Sequence, residues 1–279
     1  MGRFFVWFQY VLPQHGLSRL ILWATRVRVP WFKNRLVRGF LKLYPVDMRE
    51  AAQSDPERFA SFNDFFTREL KPGARPIAED PRAIACPADG VISEAGAIEG
   101  DRLLQAKNRH YTLSELLAAQ PWAGQFEGGT FATIYLAPFN YHRVHSPLRA
   151  QLQETVYVPG RLFSVNGVTA SHVPRLFARN ERVLMLFDSE FGQFALVMVG
   201  ALNVGSIATV WAGDITPAAR RVVTRLPPQS AQLERGAELG RFNMGSTVIL
   251  LFQANRARWN EGVRAGATVR LGQSLGQLE

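Results

Sequence analysis

The chain has 279 residues, of which 47% are hydrophobic and 20% charged, a composition that supports a large buried core and excludes an intrinsically disordered protein. It contains one cysteine, Cys86, so an internal disulfide and a cluster of thiolate metal ligands are excluded, and a reducing, cytoplasmic setting fits best. The formal net charge is +9 at pH 7, but most of this charge belongs to one end of the chain.

The N-terminal segment, residues 1–42, carries eight basic residues and no acidic one, interleaved with aromatic side chains. Apolar residues recur at helical spacing before and after Pro30, a favoured first helical residue, and predict two short amphipathic helices. This composition is typical of helices in a lipid headgroup layer, whereas arms that bind nucleic acid are seldom so apolar. We therefore predict that residues 1–45 associate peripherally with the cytoplasmic face of the membrane, with an anionic lipid surface and no nucleic acid as partner. The alternative is that the helices only cover the core and their arginines are solvated.

Residues 46–279 are predicted to form one catalytic domain, which makes the chain α+β with helices gathered at the N-terminus. Residues 47–70 are typical of a helix, with Ser61 and Asp64 spaced as its N-terminal cap, and a second short helix is expected near 112–119. From residue 83 onward, short runs rich in Val, Ile and Phe are separated by Gly, Pro and Asn, which predicts a mainly antiparallel β core.

Two stretches of this β region bear on the site. Residues 191–213 are uncharged over a length that could cross a bilayer, but glycines and Asn203 interrupt them, so two strands joined near Asn203 are predicted. Residues 246–252 are predicted as one strand and 267–271 as another. The 34 residues after position 245 are too few to fold alone, so we expect them to be woven into the sheet of the preceding chain.

Three short stretches are richer in reactive groups than a core requires, namely residues 87–90, 141–147 and 242–247. They supply the carboxylate of Asp89, the imidazoles of His142 and His145, and the hydroxyl of Ser246. An acid, a base and a hydroxyl are the parts needed to activate a serine, although each has an ordinary structural explanation when taken alone. No G-x-S-x-G motif surrounds Ser246, which argues against an ordinary α/β-hydrolase.

Several motifs, in matching order, resemble the signatures of bacterial phosphatidylserine decarboxylases. They are FNDFFTRELKPGARPI (62–77), PADG (87–90), YHRVHSP (141–147), VPGRLFSVN (158–166), LFARNERV (176–183), VGSIATVWAG (204–213) and GRFNMGST (240–247). The resemblance covers roughly residues 40–255, and a similar basic amphipathic N-terminus precedes it. One departure is Met244, where family members commonly have Leu, and the two side chains are similar in size and polarity.

This resemblance implies a proenzyme that cuts itself by serinolysis between Gly245 and Ser246. The products would be a large chain, residues 1–245, and a small chain, residues 246–279, that remain together. Phosphatidylserine in the membrane would be the substrate and phosphatidylethanolamine the product. Pairing of two such molecules into a homodimer is left open.

The resemblance also implies roles for individual residues. Asp89, His145 and Ser246 would form the self-processing triad, and His142 would assist decarboxylation. Ser246 would become a pyruvoyl group that forms a Schiff base with the substrate amine, with neither a metal nor pyridoxal phosphate required. Either histidine could return a proton to the substrate carbon after CO₂ leaves, since an imidazole titrates near neutral pH.

Two functions of other classes compete with this prediction. A lipid-directed serine hydrolase would keep Ser246 as a lasting nucleophile in an intact chain. A non-enzymatic membrane-associated protein of the same fold would tolerate the loss of His145. A metal site on His142 and His145 is a weaker alternative, because no third ligand is evident nearby.

Overall fold

The computed structural model describes residues 2–202, 206–216, 222–226, 231–244 and 246–279, with side chains described from residue 6 onward. Helices lie mainly at the N-terminus and antiparallel strands follow, which confirms the predicted α+β class. The described α-helices are α1 (Gly2–Val11), α2 (Gln14–Arg26), α3 (Pro30–Leu43), α4 (Phe62–Phe66), α5 (Leu113–Leu116), α6 (Gly167–His172) and α7 (Leu176–Arg179).

The strands form four antiparallel sheets within the described residues. They are β1 (Ala83–Ala85), β2 (Gly90–Ala97), β3 (Arg102–Ala106), β4 (Arg109–Thr112), β5 (Thr130–Tyr135), β6 (Arg143–His145), β7 (Ala150–Val158), β8 (Arg182–Ser189), β9 (Gly192–Val199), β10 (Ile207–Thr209), β11 (Gly213–Asp214), β12 (Thr224–Arg225), β13 (Gln232–Leu233), β14 (Glu238–Phe242), β15 (Thr247–Phe252), β16 (Ala257–Trp259), β17 (Thr268–Val269) and β18 (Ser274–Leu278). The largest sheet has nine strands in the order β12-β7-β8-β9-β15-β5-β2-β17, with β13 also paired to β7. The others have the orders β11-β10-β14-β6, β1-β18-β16 and β3-β4.

Three helices occupy the N-terminal segment, one more than the two predicted. Helix α3 begins at Pro30 as expected, and α1 was missed because only the two later stretches were assigned from their apolar spacing. Buried glutamines dock the first two helices onto the β core: Gln9 Oε1 accepts the Ser164 N–H at 2.7 Å, and Gln14 Oε1 accepts the Leu162 N–H at 2.8 Å. Within the described part of the chain, no helix is long and apolar enough to cross a bilayer.

The continuous helix predicted over 47–70 is wrong. The structure has a 3₁₀ turn at Pro56–Arg58 and the short helix α4, whose predicted cap is confirmed because Ser61 Oγ accepts the Asp64 N–H at 3.1 Å. Tertiary packing overrides the local helical pattern here, because Phe62, Phe65 and Phe66 are buried against Val37 of α3. The helix near 112–119 is confirmed but shorter, since it ends before Ala118 and Ala119, whose φ angles are 51° and 52°.

The C-terminal part of the chain lies in the centre of the largest sheet. Strand β15 pairs with β9 on one side and β5 on the other, and all six of its residues are buried. The two strands predicted in 191–213 are confirmed as β9 and β10, while the joint near Asn203 lies outside the described residues. Strands β17 and β18 add to β2 and β1, so residues after 245 are interleaved with the earlier chain as expected.

Candidate active site

Ser246 lies directly before β15, at one end of the central strand. Its carbonyl accepts the Leu136 N–H at 2.8 Å, and its side chain is fully buried. No described residue forms a hydrogen bond with Ser246 Oγ. Such an orphaned hydroxyl is costly in a protein interior and marks the position as a candidate reactive group. Gly245, the other residue of the predicted cleavage site, lies outside the described residues.

The segment that leads into Ser246 is anchored by Asn243. Its N–H donates to the Ser206 carbonyl at 2.9 Å, its side-chain amide donates to Ser206 Oγ and to Asp214 at 3.2 Å, and Asn63 donates to its side-chain oxygen at 3.1 Å. These bonds connect residues far apart in sequence, so they hold the backbone two residues before the predicted cut in a fixed place. The GRFNMGST motif contained Asn243, but sequence reasoning gave it no role.

His142 precedes β6 and is fully buried, with its ring 4.1 Å from that of Phe66 between centroids. Its Nδ1 lies 2.8 Å from the Asn140 carbonyl, which accepts only, so Nδ1 carries the proton and Nε2 is an acceptor. Nε2 has no partner among the described residues. Burial, reinforced by the nearby charge of Arg68, lowers the pKa of His142 to about 3, so the ring is neutral at pH 7.

His145 ends β6, and its backbone N–H donates to the Pro87 carbonyl at 2.8 Å, which joins the second and first reactive stretches. Its Nδ1 donates to the Gly236 carbonyl at 2.8 Å, so Nε2 is the acceptor and lies 3.3 Å from the Tyr141 hydroxyl. Burial lowers the pKa of His145, and the hydrogen bond to Gly236, the charge of Glu238 and, least, the charge of Asp89 oppose that shift. Burial also raises the pKa of Tyr141 to about 12, so this hydroxyl stays protonated and donates a hydrogen bond to the imidazole.

Asp89 lies beside this site, but its carboxylate is bonded to groups other than His145. Arg75 donates to it from Nε at 2.9 Å and from Nη2 at 2.6 Å, and the Leu271 N–H donates to Oδ1 at 2.9 Å. These bonds raise the pKa of Arg75, which also pairs with Glu50 at 2.8 Å. Backbone hydrogen bonds link the three reactive stretches, from the His145 N–H to the Pro87 carbonyl at 2.8 Å and from the Phe242 N–H to the His142 carbonyl at 3.0 Å. Asp89, His145 and Ser246 form none of the side-chain hydrogen bonds of an assembled triad with one another.

Arg68 is the residue that the sequence analysis missed. It follows α4 within the FNDFFTREL stretch, is 5% exposed, and raises the electrostatic cost of protonating His142. A single cation after a run of phenylalanines was the available signal, but burial cannot be read from that pattern.

An apolar cavity of about 600 Å³ opens between the N-terminal helices and the site. Its wall includes Ile21, Ala24, Phe32, Leu36, Phe40 and Met244. Met244 lies two residues before Ser246, so the cavity connects the helices to the reactive segment. Its volume is within the range of about 300–1,000 Å³ typical of ligand pockets.

This part of the structure contains a buried serine, two histidines whose pKa values burial lowers, and an apolar cavity that reaches Met244. Comparison with known proteins identifies the family. A family model described as phosphatidylserine decarboxylase matches residues 62–277, and a second, described as PSD, matches residues 4–45. The chain therefore belongs to the phosphatidylserine decarboxylase family, which confirms the resemblance seen in the motifs and the prediction of an enzyme.

Individual relatives are similar over nearly their whole length. The chain is 53% identical to a phosphatidylserine decarboxylase proenzyme of Methylococcus capsulatus, over 98% of this chain and 96% of the relative. It is 54% identical to the proenzyme of that name from Pseudomonas aeruginosa, with the same coverage. It is also 54% identical to the one from Ectopseudomonas mendocina, over 99% of each chain.

Proposed function

We propose that this protein is a proenzyme that cleaves itself between Gly245 and Ser246, converts Ser246 into a pyruvoyl group, and decarboxylates phosphatidylserine to phosphatidylethanolamine. Family membership supports the reaction. The observation that carries the self-processing is the buried Ser246 hydroxyl, which has no hydrogen bond among the described residues and stands at the start of the central strand. We propose further that the catalytic domain comprises residues 46–279 and that residues 1–45 serve the membrane.

Residue 246 is a suitable place for a ketone. Its carbonyl is fixed by the Leu136 N–H at 2.8 Å, and its hydroxyl makes no bond that conversion to a ketone would break. A pyruvoyl group supplies the ketone that reacts with a substrate amine and the conjugated carbonyl that accepts the electrons left by departing CO₂. No unmodified side chain provides such an electron sink.

In the processing step, His145 Nε2 takes the proton from Ser246 Oγ, which attacks the carbonyl carbon of Gly245. The amide nitrogen of residue 246 leaves with a proton, and an ester replaces the peptide bond. Loss of the proton on Cα and cleavage of the Cβ–Oγ bond release the large chain with a carboxylate at Gly245. Water then replaces the nitrogen of residue 246, which departs as ammonia, and the ketone remains.

His145 is suited to this step because Gly236 fixes its tautomer. With Nδ1 donating to that carbonyl, Nε2 is free to accept a proton, and its bond to the Tyr141 hydroxyl is long, at 3.3 Å, and thus easily exchanged. Asp89 contributes through its charge, which favours the protonated imidazole that forms as the serine reacts. In this proposal a carbonyl orients the base and the carboxylate stabilises it.

His142 serves the decarboxylation. Its unpartnered Nε2 is assigned the return of a proton to the carbon from which CO₂ has left, because the low pKa makes the protonated ring a strong acid. The low pKa of about 3 keeps the ring neutral before the substrate arrives, so the acceptor site is available at neutral pH. Stacking on Phe66 and the bond to Asn140 keep the ring in one orientation.

The N-terminal helices are proposed to bring the enzyme to its substrate at the cytoplasmic face of the membrane. Trp23 and Trp31 are 66% and 72% exposed, and Leu43 is 76% exposed, beside the basic side chains of the same helices. Exposed aromatic groups and basic groups on the same helices suit the headgroup layer of a membrane that contains anionic lipid. The apolar cavity between α2 and α3 would hold an acyl chain while the headgroup reaches residue 246.

Intact mass spectrometry of the purified protein tests the proposal. The wild-type chain is expected to give two fragments separated at 245/246, the smaller with a pyruvoyl group in place of serine, and Ser246→Ala is expected to stay whole. Ser114→Ala, at an exposed serine, is the matched control and should be cleaved like the wild type. A folded wild-type chain that stays whole and reacts with a fluorophosphonate at Ser246 would instead identify a serine hydrolase.

A further inference from the structure

Arg68 is a buried cation without a carboxylate partner. It is 5% exposed, and no described Asp or Glu lies within ion-pair distance of its guanidinium. Its one side-chain hydrogen bond to a described residue is a long contact of 3.4 Å from Nη2 to the Phe139 carbonyl, and its Nε has no partner. The remaining contact is with the face of Phe65, 5.9 Å from the ring centroid.

Other buried arginines of this chain are fully engaged. Arg75 pairs with Asp89 and Glu50, and Arg182 donates four hydrogen bonds of 2.6–2.9 Å to backbone carbonyls. A buried charge without a partner is unfavourable, and burial accordingly lowers the pKa of Arg68. An anionic ligand bound here would therefore compensate the buried charge of Arg68.

The position of Arg68 indicates which ligand this is. The residue lies in the wall of a polar pocket of about 230 Å³, together with Arg143 and Arg241, whose guanidiniums already pair with Glu238. The two carboxylates of this wall are also engaged, since Glu69 pairs with Arg143 and Asp64 accepts the Ser61 hydroxyl. Phe66, two residues before Arg68, stacks on His142 with the ring centroids 4.1 Å apart, and the charge of Arg68 lowers the pKa of that histidine. An anion bound at Arg68 would thus lie beside the proposed decarboxylation site.

We propose that Arg68 binds the phosphodiester of the phosphatidylserine headgroup, an inference that rests on the proposed function. The headgroup also carries a carboxylate, but that group loses its charge as CO₂ departs. An ion pair with it would stabilise the substrate more than the transition state and slow the reaction. The phosphodiester keeps its charge throughout, so a cation there strengthens binding without opposing the chemistry, and guanidinium geometry suits it.

The test compares Arg68→Gln with the wild type by using two soluble short-chain lipids. Dihexanoyl phosphatidylethanolamine has the phosphodiester and amine but no carboxylate, and dihexanoyl phosphatidylserine has all three. If Arg68 binds the phosphodiester, the dissociation constant of the ethanolamine lipid should rise roughly 10- to 100-fold, the range of a lost charge-assisted hydrogen bond. The KM for the serine lipid should rise by a similar factor, with a much smaller change in kcat.

Arg58→Gln is the matched control, because Arg58 precedes the same helix and its side chain is 73% exposed. It should change neither constant. Fragment masses and the thermal midpoint show whether each variant folds. If Arg68→Gln does not fold, Arg68→Lys replaces it. That variant keeps the charge but loses the planar fork, so both the dissociation constant and KM should rise by a smaller factor.

Three results would overturn the proposal. Unchanged binding of the ethanolamine lipid would remove Arg68 from headgroup recognition, and a rise confined to the serine lipid would assign it to the carboxylate. Competition by inorganic phosphate at the same concentration as the lipid would indicate a general phosphate site. Binding of the ethanolamine lipid is measured without turnover, so these results are distinct from any failure of the wild-type chain to cleave itself or release CO₂.

Discussion

Acid should destabilise the precursor through His142. Its ring is fully buried and has a pKa of about 3, whereas a histidine in an unfolded chain has a pKa of about 6.5. Between these values the unfolded chain binds a proton that the folded chain does not, so lowering the pH favours unfolding. The stability associated with neutral His142 is therefore fully present above about pH 6.5 and is lost as the pH falls toward 3.

The size of this effect follows from the two pKa values. At pH 5 the unfolded imidazole is about 1.5 units below its pKa, and one unit corresponds to about 1.4 kcal/mol. Protonation of His142 in the unfolded chain should therefore remove about 2 kcal/mol of the free energy of unfolding at pH 5. This figure is insensitive to the folded pKa as long as that pKa stays below about 4.

The assay is urea unfolding of Ser246→Ala, which keeps the precursor as one chain, at pH 7.5 and pH 5. The same pair of measurements is made with His142→Gln added. Other titrating groups, including His145 with its lowered pKa, are present in both proteins and cancel in the comparison. The loss of stability between the two pH values should be smaller by about 2 kcal/mol when residue 142 does not titrate. Equal losses would refute the buried, neutral state of His142.

Three further changes test the proposed mechanism and membrane contact. His145→Gln should leave a folded chain uncut at 245/246 by mass spectrometry, and cleavage at the wild-type rate would remove His145 as the base. Gly39→Leu places a side chain in the apolar cavity, where an added Cβ meets nothing within 4 Å, and should lower the ratio of long-chain to short-chain turnover; an unchanged ratio would place the acyl chain elsewhere. Combined Trp23→Ser and Trp31→Ser should reduce the fraction that sediments with anionic vesicles, since both side chains are exposed, and unaltered sedimentation would contradict membrane contact by this face.

Local sequence predicted those parts of the fold where local and tertiary preferences agree. In strand β15, four of the six residues are of types that prefer strands and the other two are leucines, and the strand lies buried between two other strands. Pro30 begins α3 because its fixed φ suits a first helical turn. The prediction of one continuous helix over residues 47–70 was wrong because the phenylalanines of this segment pack as a cluster with α3. Helical spacing within the segment does not reveal that contact.

The candidate site was predictable only as far as its chemistry appears in short motifs. Asp89, His142, His145 and Ser246 were identified because carboxylates, imidazoles and hydroxyls in one set of motifs suggest catalysis. Arg68 was missed because the absence of a carboxylate partner is a property of the whole fold. His145 Nδ1 bonds to the carbonyl of Gly236 rather than to Asp89. This partner is 91 positions away in the chain, so local sequence could not predict it.

The place of the proposed cut explains how a proenzyme could break its own backbone and keep its structure. Residue 246 enters β15, whose register pairs Thr247 with Tyr135 on one side and with Val199 on the other. Burial of the five apolar side chains from 248 to 252 contributes roughly 10 kcal/mol, before the pairing of β16, β17 and β18 is counted. Cleavage before residue 246 would remove one covalent link but none of these contacts. The new terminus would therefore stay bonded to Leu136 at the start of β15, where we propose that the substrate meets it.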